Sequence, residues 1–509
     1  LRVDIVAGDD VINSIEHGQN LIITGSSNGL SAGTALTVTV NGKTYPATVL
    51  ADGTWSAALP SADVSALAAG TVSVTVEGQS SAGNPVSISH NVTVDLANVA
   101  ISIDAIATDD VINAAEKGAD LVLSGTTSNV EENQTVTITF GGKHYTATVD
   151  AAGKWTATVP TADLAGLKDG DASVQVSVTN VNGNSASAGR EYSVDATAPS
   201  VTINTIATDD ILNATEAQSD LAISGTSTAE AGQTVTVSLN GKDYTTTVGT
   251  NGNWTLNVPA ADLAALSDGS VTVTASVSDK AGNPASVNHN LTVDMTVPAV
   301  TIHAIADDDV INVAEHGQAQ IISGTATGAA AGDKVTVTIG GQTYTTVLDA
   351  AGNWSVGVPA SVISGLSDGA VTVTASVTDA AGNTGSGTHN VTVDTGLPSV
   401  SFNAISGDNV LNAAEKGQAL SVSGTSANLA EGTVVTVTLN GKNYTATTAA
   451  DGTWSLTVPA ADLAGLGEAN YTLNATATNG VGNSVSSAAN LLVDTALPTV
   501  TINTVAGDN

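Results

Sequence analysis

The sequence has no cysteine, one methionine and few aromatic residues: five Trp, seven Tyr and two Phe in 509 residues. Without cysteine there is no disulfide framework, no thiolate metal site and no cysteine nucleophile, so the fold must hold by packing or by ions. Positive charge is scarce too, with 12 Lys+Arg against 48 Asp+Glu and a formal charge of −36. So acidic a surface repels nucleic-acid phosphates and anionic membranes and attracts cations. There is no run of about 18 apolar residues and no charged-then-apolar leader, so neither a membrane span nor a secretion signal is expected. The opening residues, LRVDIVAG, read at once as a strand, and the chain is expected to be a piece of something longer.

Apolar residues, rich in Val and Ile, make up 42% of the chain, which argues against disorder. Its length exceeds what one hydrophobic core normally serves. Self-similarity resolves that excess. The segment around Asp9 and Asp10 returns at Asp109-Asp110, Asp209-Asp210, Asp308-Asp309, Asp408-Asn409 and Asp508-Asn509. Trp55, Trp155, Trp254, Trp354 and Trp454 keep the same register, and a Val-Asp pair closes each unit at Asp95, Asp195, Asp294, Asp394 and Asp494. A period near 100 residues is too long for a solenoid repeat and right for a self-sufficient domain. Five tandem domains follow, at 1–98, 99–198, 199–297, 298–397 and 398–497, with 498–509 as the first strand of a sixth.

Within a unit the apolar period is 2, with Thr or Ser between, the pattern of half-buried antiparallel strands. In the third repeat it predicts seven strands. They are Val201 to Ile206, Leu221 to Ser224, three runs carrying Val235, Tyr244 and Trp254, one from Val271 to Val277, and a last one with Leu291 and Val293. Asn240-Gly241 and Asn251-Gly252 read as two-residue hairpin turns, since both residue types accept positive φ. The stretch 260–269 is the one convincing helical segment. Seven short strands per hundred residues describe an all-β immunoglobulin-like sandwich without a disulfide, with the Trp in its core.

The linkers VDATAPS from Val194, VDMTVPA from Val293, VDTGLPS from Val393 and VDTALPT from Val493 are short and stiffened by proline. The first, VDLANVA from Val94, lacks proline and is expected to be the softest.

The chemical motif is Asp-Asp, two apolar residues, Asn, two more residues and Glu. It comprises Asp9, Asp10, Asn13 and Glu16, then Asp109, Asp110, Asn113 and Glu116, then Asp209, Asp210, Asn213 and Glu216. The fourth copy is Asp308, Asp309, Asn312 and Glu315, preceded by Asp307, and the fifth is Asp408, Asn409, Asn412 and Glu415. This loop, between the first two predicted strands, is expected at the pole where the last strand ends. The closing residues Asp95, Asp195, Asp294, Asp394 and Asp494 lie at that pole too, and the last loop of the next repeat would bring Asp279 or Asp379 to it. Hard oxygen ligands from three segments suit Ca²⁺, which takes about 6–8 oxygens. The seven histidines are scattered, which disfavours zinc. The alternative reading is local: an Asn N-cap with Glu as capping-box partner, which accounts for Asn and Glu but not for the Asp pair. At the position four before the asparagine of the last loop stand Ser80, Asn180, Asp279, Asp379 and Asn479, so the second-to-third and third-to-fourth junctions should bind calcium most tightly.

Asp63, Asp163, Asp262 and Asp462 are expected to cap the helical turn, with Asp169, Asp268 and Asp368 ending it, while His90, His289 and His389 are placed on the solvent face of the last strand. No nucleophile motif, phosphate loop or exposed aromatic cluster supports an enzyme reading.

DDVINAAEKG-like loops, one Trp per repeat, TDAAGN-like loops and VDTxxP junctions together resemble the bacterial Ig-like repeats of giant type I-secreted adhesins and biofilm-associated proteins. The resemblance covers essentially the whole chain. It implies an extracellular, cell-surface location and a stalk about 200 Å long at ~3.3 Å per strand residue. It also implies a role in attachment, cell adhesion and biofilm formation, with calcium stiffening the junctions. The expected partners are a host or neighbouring-cell surface, or self-association through the full-length protein. Nucleic acid and membrane insertion are not expected, and the fragment itself should be monomeric. The alternative is that the repeats themselves bind glycan or their own kind.

Overall fold

The computed structural model describes residues 1–502. Two compact units divide the chain: Leu1–Asn204 with Ile223–Leu256 and Thr272–His289, and Thr205–Ala222 with Asn257–Val271 and Asn290–Asn509. The first contains repeats 1 and 2 whole, and the second contains repeats 4 and 5 whole.

In the first unit, repeat 1 has strands β1 (Arg2–Val3), β2 (Val11–Ile12), β3 (Leu21–Ser26), β4 (Ala35–Val40), β5 (Lys43–Thr48), β6 (Thr54–Leu59), β7 (Gly70–Gln79) and β8 (Pro85–Val94). One sheet has the order β1-β3-β6 and the other β2-β8-β7-β4-β5. Alternating burial along the strands turns Leu and Val inward and Thr outward, as in the pattern eBeBiB of Ala35–Val40. One face of each sheet therefore builds a shared core. Repeat 2 has the same two sheet orders, and in the second unit so do repeats 4 and 5.

The expected immunoglobulin-like sandwich is present, with corrections. There are eight strands, because the acidic motif itself contains one. The Val-Ile of the motif, β2, leaves the first sheet and pairs in parallel with the end of β8, Val11 opposite Thr93 and Ile12 opposite Val94. A two-residue strap between two charged ends gives too little periodicity to be read as a strand. The first strand expected from Val201 to Ile206 is reduced to an isolated bridge between Val201 and Ser227. The last strand of that repeat is longer than expected, Pro284–Asp294. Asn240-Gly241 is a two-residue turn, with φ of 51° and 75°. Asn251-Gly252 is not, because the strands on either side of it, Lys242–Thr247 and Asn253–Val258, belong to different sheets. It closes a five-residue crossing at 248–252. Of the sixth-repeat stub, 498–502 forms no strand, and 503–509, with Asp508 and Asn509, lies outside the described residues.

The Trp of each repeat is core, as expected. Trp155 is 1% exposed, and its indole Nε1 donates to the carbonyl of Ser102 at 3.2 Å. It lies against Gly125, where a Cβ would come within 2.7 Å of the indole ring and 1.9 Å of the Ser102 carbonyl. Burying an aromatic of ~150–250 Å² at ~25 cal/mol per Å² contributes about 4–6 kcal/mol before entropy. Glycine is what lets the ring sit flat on the strand.

Candidate functional site

The acidic loop begins where the chain leaves β1 and must turn sharply into β2. Ala7 and Asp10 adopt φ of 57° and 62° to do so. Asp tolerates that region because its short carboxylate bonds nearby backbone. Asp10 Oδ1 accepts from Val6 N at 2.8 Å, and the same bond recurs from Ile106 to Asp110 at 2.9 Å, from Ile206 to Asp210 at 2.8 Å and from Ile305 to Asp309 at 2.8 Å.

The second Asp of the pair then reaches a basic side chain, His or Arg, on the last strand. His90 Nε2 lies 2.6 Å from Asp10 Oδ1, and His389 Nε2 lies 2.7 Å from Asp309 Oδ1. Arg190 grips Asp110 with two bonds, Nε to Oδ1 and Nη2 to Oδ2, both 2.6 Å. That guanidinium holds the Asp110 carboxyl below the usual carboxylate range. His90 and His389 thus face the acidic loop, not solvent as expected. In repeat 5 the strand position holds Ala489, and the Asp has become Asn409, which keeps only the backbone bond from Ile405 at 2.8 Å. Loss of the basic side chain and loss of the carboxylate go together.

The first Asp of each pair caps its own turn. Asp9, Asp109, Asp209, Asp308 and Asp408 each accept from the backbone N–H two residues on, at 2.9–3.0 Å. Asn113 and Glu116 form a complete capping box around the single turn Ala114–Lys117, and Asn312 with Glu315 and Asn412 with Glu415 do the same. Asn13 with Glu16 and Asn213 with Glu216 make the same reciprocal bonds around 3₁₀ turns. The local reading therefore describes the Asn and Glu of the motif. The Asp pair, which capping left unexplained, is explained by the turn and by the His or Arg on the last strand of the repeat.

These placements separate the Asp pair of the motif from the junction, where the Asn-to-Glu turn lies. His90, the partner of Asp10, precedes Asp95 by five residues on an extended strand, about 16 Å at ~3.3 Å per residue. One ion with ligands at ~2.3–2.6 Å does not span that distance. Among the described residues, no group of three or more His, Asp or Glu stands where it could hold a metal ion.

At the junctions the last loop of each repeat does meet the closing Asp of the one before, as expected, but the bridging residue is an asparagine. Asn184 Oδ1 accepts from Ser14 N at 2.8 Å, while its Nδ2 donates to the Asp95 carbonyl at 3.2 Å. Asn283 joins Ala114 N and the Asp195 carbonyl at 2.7 and 2.8 Å. Asn383 joins Ala214 N and the Asp294 carbonyl at 2.8 and 2.9 Å, and Asn483 joins Val313 N and the Asp394 carbonyl at 2.8 and 2.9 Å. All four are at most 1% exposed, whereas Asn84, with no repeat before it in the chain, is exposed. The Gly-Asn of the loop is the sequence signal for this bridge.

Around that bridge the junctions differ. Asp279 Oδ1 and Oδ2 accept from Asn283 N and Nδ2 at 2.8 and 2.9 Å, and Asp279 is only 7% exposed. Asp379 repeats this arrangement with Asn383, at 2.8 and 3.1 Å. A carboxylate buried with amide partners and no ion pair among the described residues is an oxygen donor of the hard type that calcium uses.

The remaining acids tie the repeat together. Asp163 accepts from Lys143 and from Tyr145 Oη at 2.8 Å, and Asp63 from Lys43 and from Tyr45 Oη at 3.0 Å. Neither caps the helical turn expected of them, whose N-cap is Pro160 or Pro60. Asp268 and Asp368 reach past the turn to the linker, accepting from Met295 N at 2.8 Å and Thr395 N at 3.0 Å.

The fold and these junctions define a class: tandem two-sheet sandwiches joined by short linkers and loop-to-loop polar bridges. The family model of the bacterial Ig-like domain matches residues 200–295, 297–395 and 404–495, more than half of the chain, and the chain belongs to that family. No curated protein matches it. Among solved structures it is similar to a Ca²⁺-stabilised adhesin that helps an Antarctic bacterium reach out and bind ice, at 40% identity over 77% of this chain and 99% of that one, with a TM-score of 0.34. It is similar also to a tetra-tandem repeat from the extending region of a large adhesion protein, at 30% identity over 78% and 100%, TM-score 0.33. A bacterial immunoglobulin-like domain from the M. primoryensis ice-binding adhesin matches at 47% identity over 19% of this chain and 99% of that one, TM-score 0.17. At these TM-scores the likeness is one of sequence.

Proposed function

We propose that this chain is a stalk segment of a large bacterial surface adhesin, a structural spacer and not an enzyme, with calcium stiffening its second-to-third and third-to-fourth junctions. The observation that carries the reading is the recurring asparagine bridge, which joins the last loop of one repeat to the turn after the strap of the repeat before it at four successive junctions. A chain built to project needs each domain seated on its neighbour, and the bridges add contacts across the junction to the restraint of the short linkers. Membership in the bacterial Ig-like family and identity to adhesin repeats support the same role.

Asp195 with Asp279, and Asp294 with Asp379, would hold the ions. Calcium there neutralises carboxylates held at the junction, of which Asp279 is buried, and adds bonds across it. On the same reading the segment is extracellular after type I secretion, carries attachment and biofilm cohesion outward, and meets a host or neighbouring-cell surface through the rest of a longer protein. Among the described residues no helix is long and apolar enough to cross a membrane.

Small-angle X-ray scattering of the chain in EDTA and in millimolar calcium tests it. A stiffer particle in calcium is expected. Asp279→Asn with Asp379→Asn should abolish the difference, whereas Asp10→Asn should leave it. Identical wild-type profiles would remove calcium from the reading and leave the linkers and asparagines to set the geometry.

A further inference from the structure

The first junction is built differently from the second and third. Its closing carboxylate, Asp95, is surrounded by side-chain amides of the next repeat: Asn182 Nδ2 donates to Asp95 Oδ2 at 2.7 Å, Asn184 Nδ2 at 3.1 Å and Asn180 Nδ2 at 3.4 Å. Ala97 N supplies a fourth donor, to Oδ1, at 2.9 Å. The Asn182 amide leads in holding the Asp95 carboxyl below the usual carboxylate range. At the second and third junctions the residues in place of Asn180 are Asp279 and Asp379, and those in place of Asn182 are Ala281 and Ala381. A carboxylate and a methyl group donate nothing, so Asp195 and Asp294 take a backbone bond from their own linker, from Thr197 at 3.4 Å and Thr296 at 3.1 Å.

We propose that the junction between repeats 1 and 2 is held by an amide lock, Asn180, Asn182 and Asn184 closing on Asp95, and needs no bound cation. Hydrogen bonds to an ionised acceptor are roughly twice as strong as neutral ones. Three of them on one carboxylate oxygen do what a cation does: they supply positive partial charge to the ionised group at the gap between domains. The lock also falls at the one linker without proline, VDLANVA. The junction expected to be softest by backbone is the one with the most side-chain bonds across it. On the same logic, Asn180 and Asp279 are alternative occupants of one position that switch a junction between amide closure and cation closure. This inference does not depend on calcium binding elsewhere in the chain.

The reporter is built in, because Ser14 N donates across this junction to Asn184 and Ala114 N across the next to Asn283. Hydrogen–deuterium exchange of the whole chain, read by mass spectrometry in calcium and in EDTA, follows both. Ser14 should exchange at the same rate in the two buffers. In Asn180→Asp/Asn182→Ala, which gives the first junction the chemistry of the second, Ser14 should exchange about tenfold faster in EDTA. Asn182→Ala alone should raise it less, and Ala114 in each variant reports that the rest of the chain is intact. Faster exchange of Ser14 on EDTA in the wild type overturns the proposal, as does a double variant whose Ser14 exchanges as before. If Ala114 ignores EDTA while Ser14 behaves as described, the calcium reading of the second junction fails and the amide lock stands.

Discussion

At the residue scale, the motif that looked like a calcium loop is two separate devices. The second Asp holds a turn of positive φ and pairs with β8; the Arg190 pair in repeat 2 is the strongest case because it is bidentate. Since the Arg190 guanidinium lowers the Asp110 pKa in the folded state, the unfolded chain binds the proton more readily. The stabilisation is therefore fully present above about pH 4, the ordinary Asp range, and is lost as pH falls through the lower folded value. Asp110→Asn should lower the unfolding temperature of the chain at neutral pH, and the gap to wild type should narrow as pH falls below the ordinary Asp range. A gap of constant size from neutral to acid pH would show that the carboxylate charge does not matter. Gly125→Ala tests the other residue-scale constraint. Its Cβ would meet both the Trp155 ring and the Ser102 carbonyl, so backbone must shift, and a cost of about 1–3 kcal/mol is expected in denaturant unfolding. A neutral result would mean that the indole can move aside.

At the element scale, the strap β2 and the turn after it decide where a repeat ends. Asn113→Ala removes an N-cap and one half of a capping box, so about 0.5–2 kcal/mol should be lost, seen in the unfolding of repeat 2. Asn113→Ser should recover most of it. An Ala variant as stable as wild type would show that pairing of the strap with the last strand suffices by itself. The strap also marks how far the sequence could be read. Strands with three or more alternating positions, such as Val235 to Leu239, were legible because the period of 2 is visible in them. Asn240-Gly241 was legible because its turn chemistry is local. Val11–Ile12 was not, since two residues show no period and their parallel partner lies about 80 positions away. Nor could Asn251-Gly252 reveal that its flanking strands join different sheets. The pairing of Asp10 with His90 was hidden for the same reason, though the joint change to Asn409 and Ala489 was in view. The meeting of the last loop with the closing Asp was legible, because alternating strand direction fixes which pole each loop occupies.

At the scale of the whole molecule, a chain of charge −36 with its acids held mainly in turns and linkers depends on how neighbouring repeats are joined. The four bridging asparagines lie outside the hydrophobic cores and bond backbone on both sides of a junction. Replacing Asn184, Asn283, Asn383 and Asn483 together by Ala should therefore leave each repeat folded, because the loop bonds from their own backbone N–H, such as Asn184 N to Asn180 Oδ1 at 2.8 Å, survive. What is lost is coupling. Each junction gives up a donor and an acceptor bond, and with net values near 1 kcal/mol per hydrogen bond the coupling should fall by about 1–3 kcal/mol per junction. Calorimetry separates the two effects. Where neighbours unfold together, the calorimetric enthalpy of a transition covers more than one repeat; once uncoupled, each repeat gives its own transition, and the van't Hoff and calorimetric enthalpies of each converge. The quadruple variant should show that separation in EDTA. In calcium, the second and third junctions should recover coupling while the first and fourth do not. Equal behaviour of wild type and variant in both buffers would mean that the asparagines shape their own loops and that the linkers alone couple the repeats.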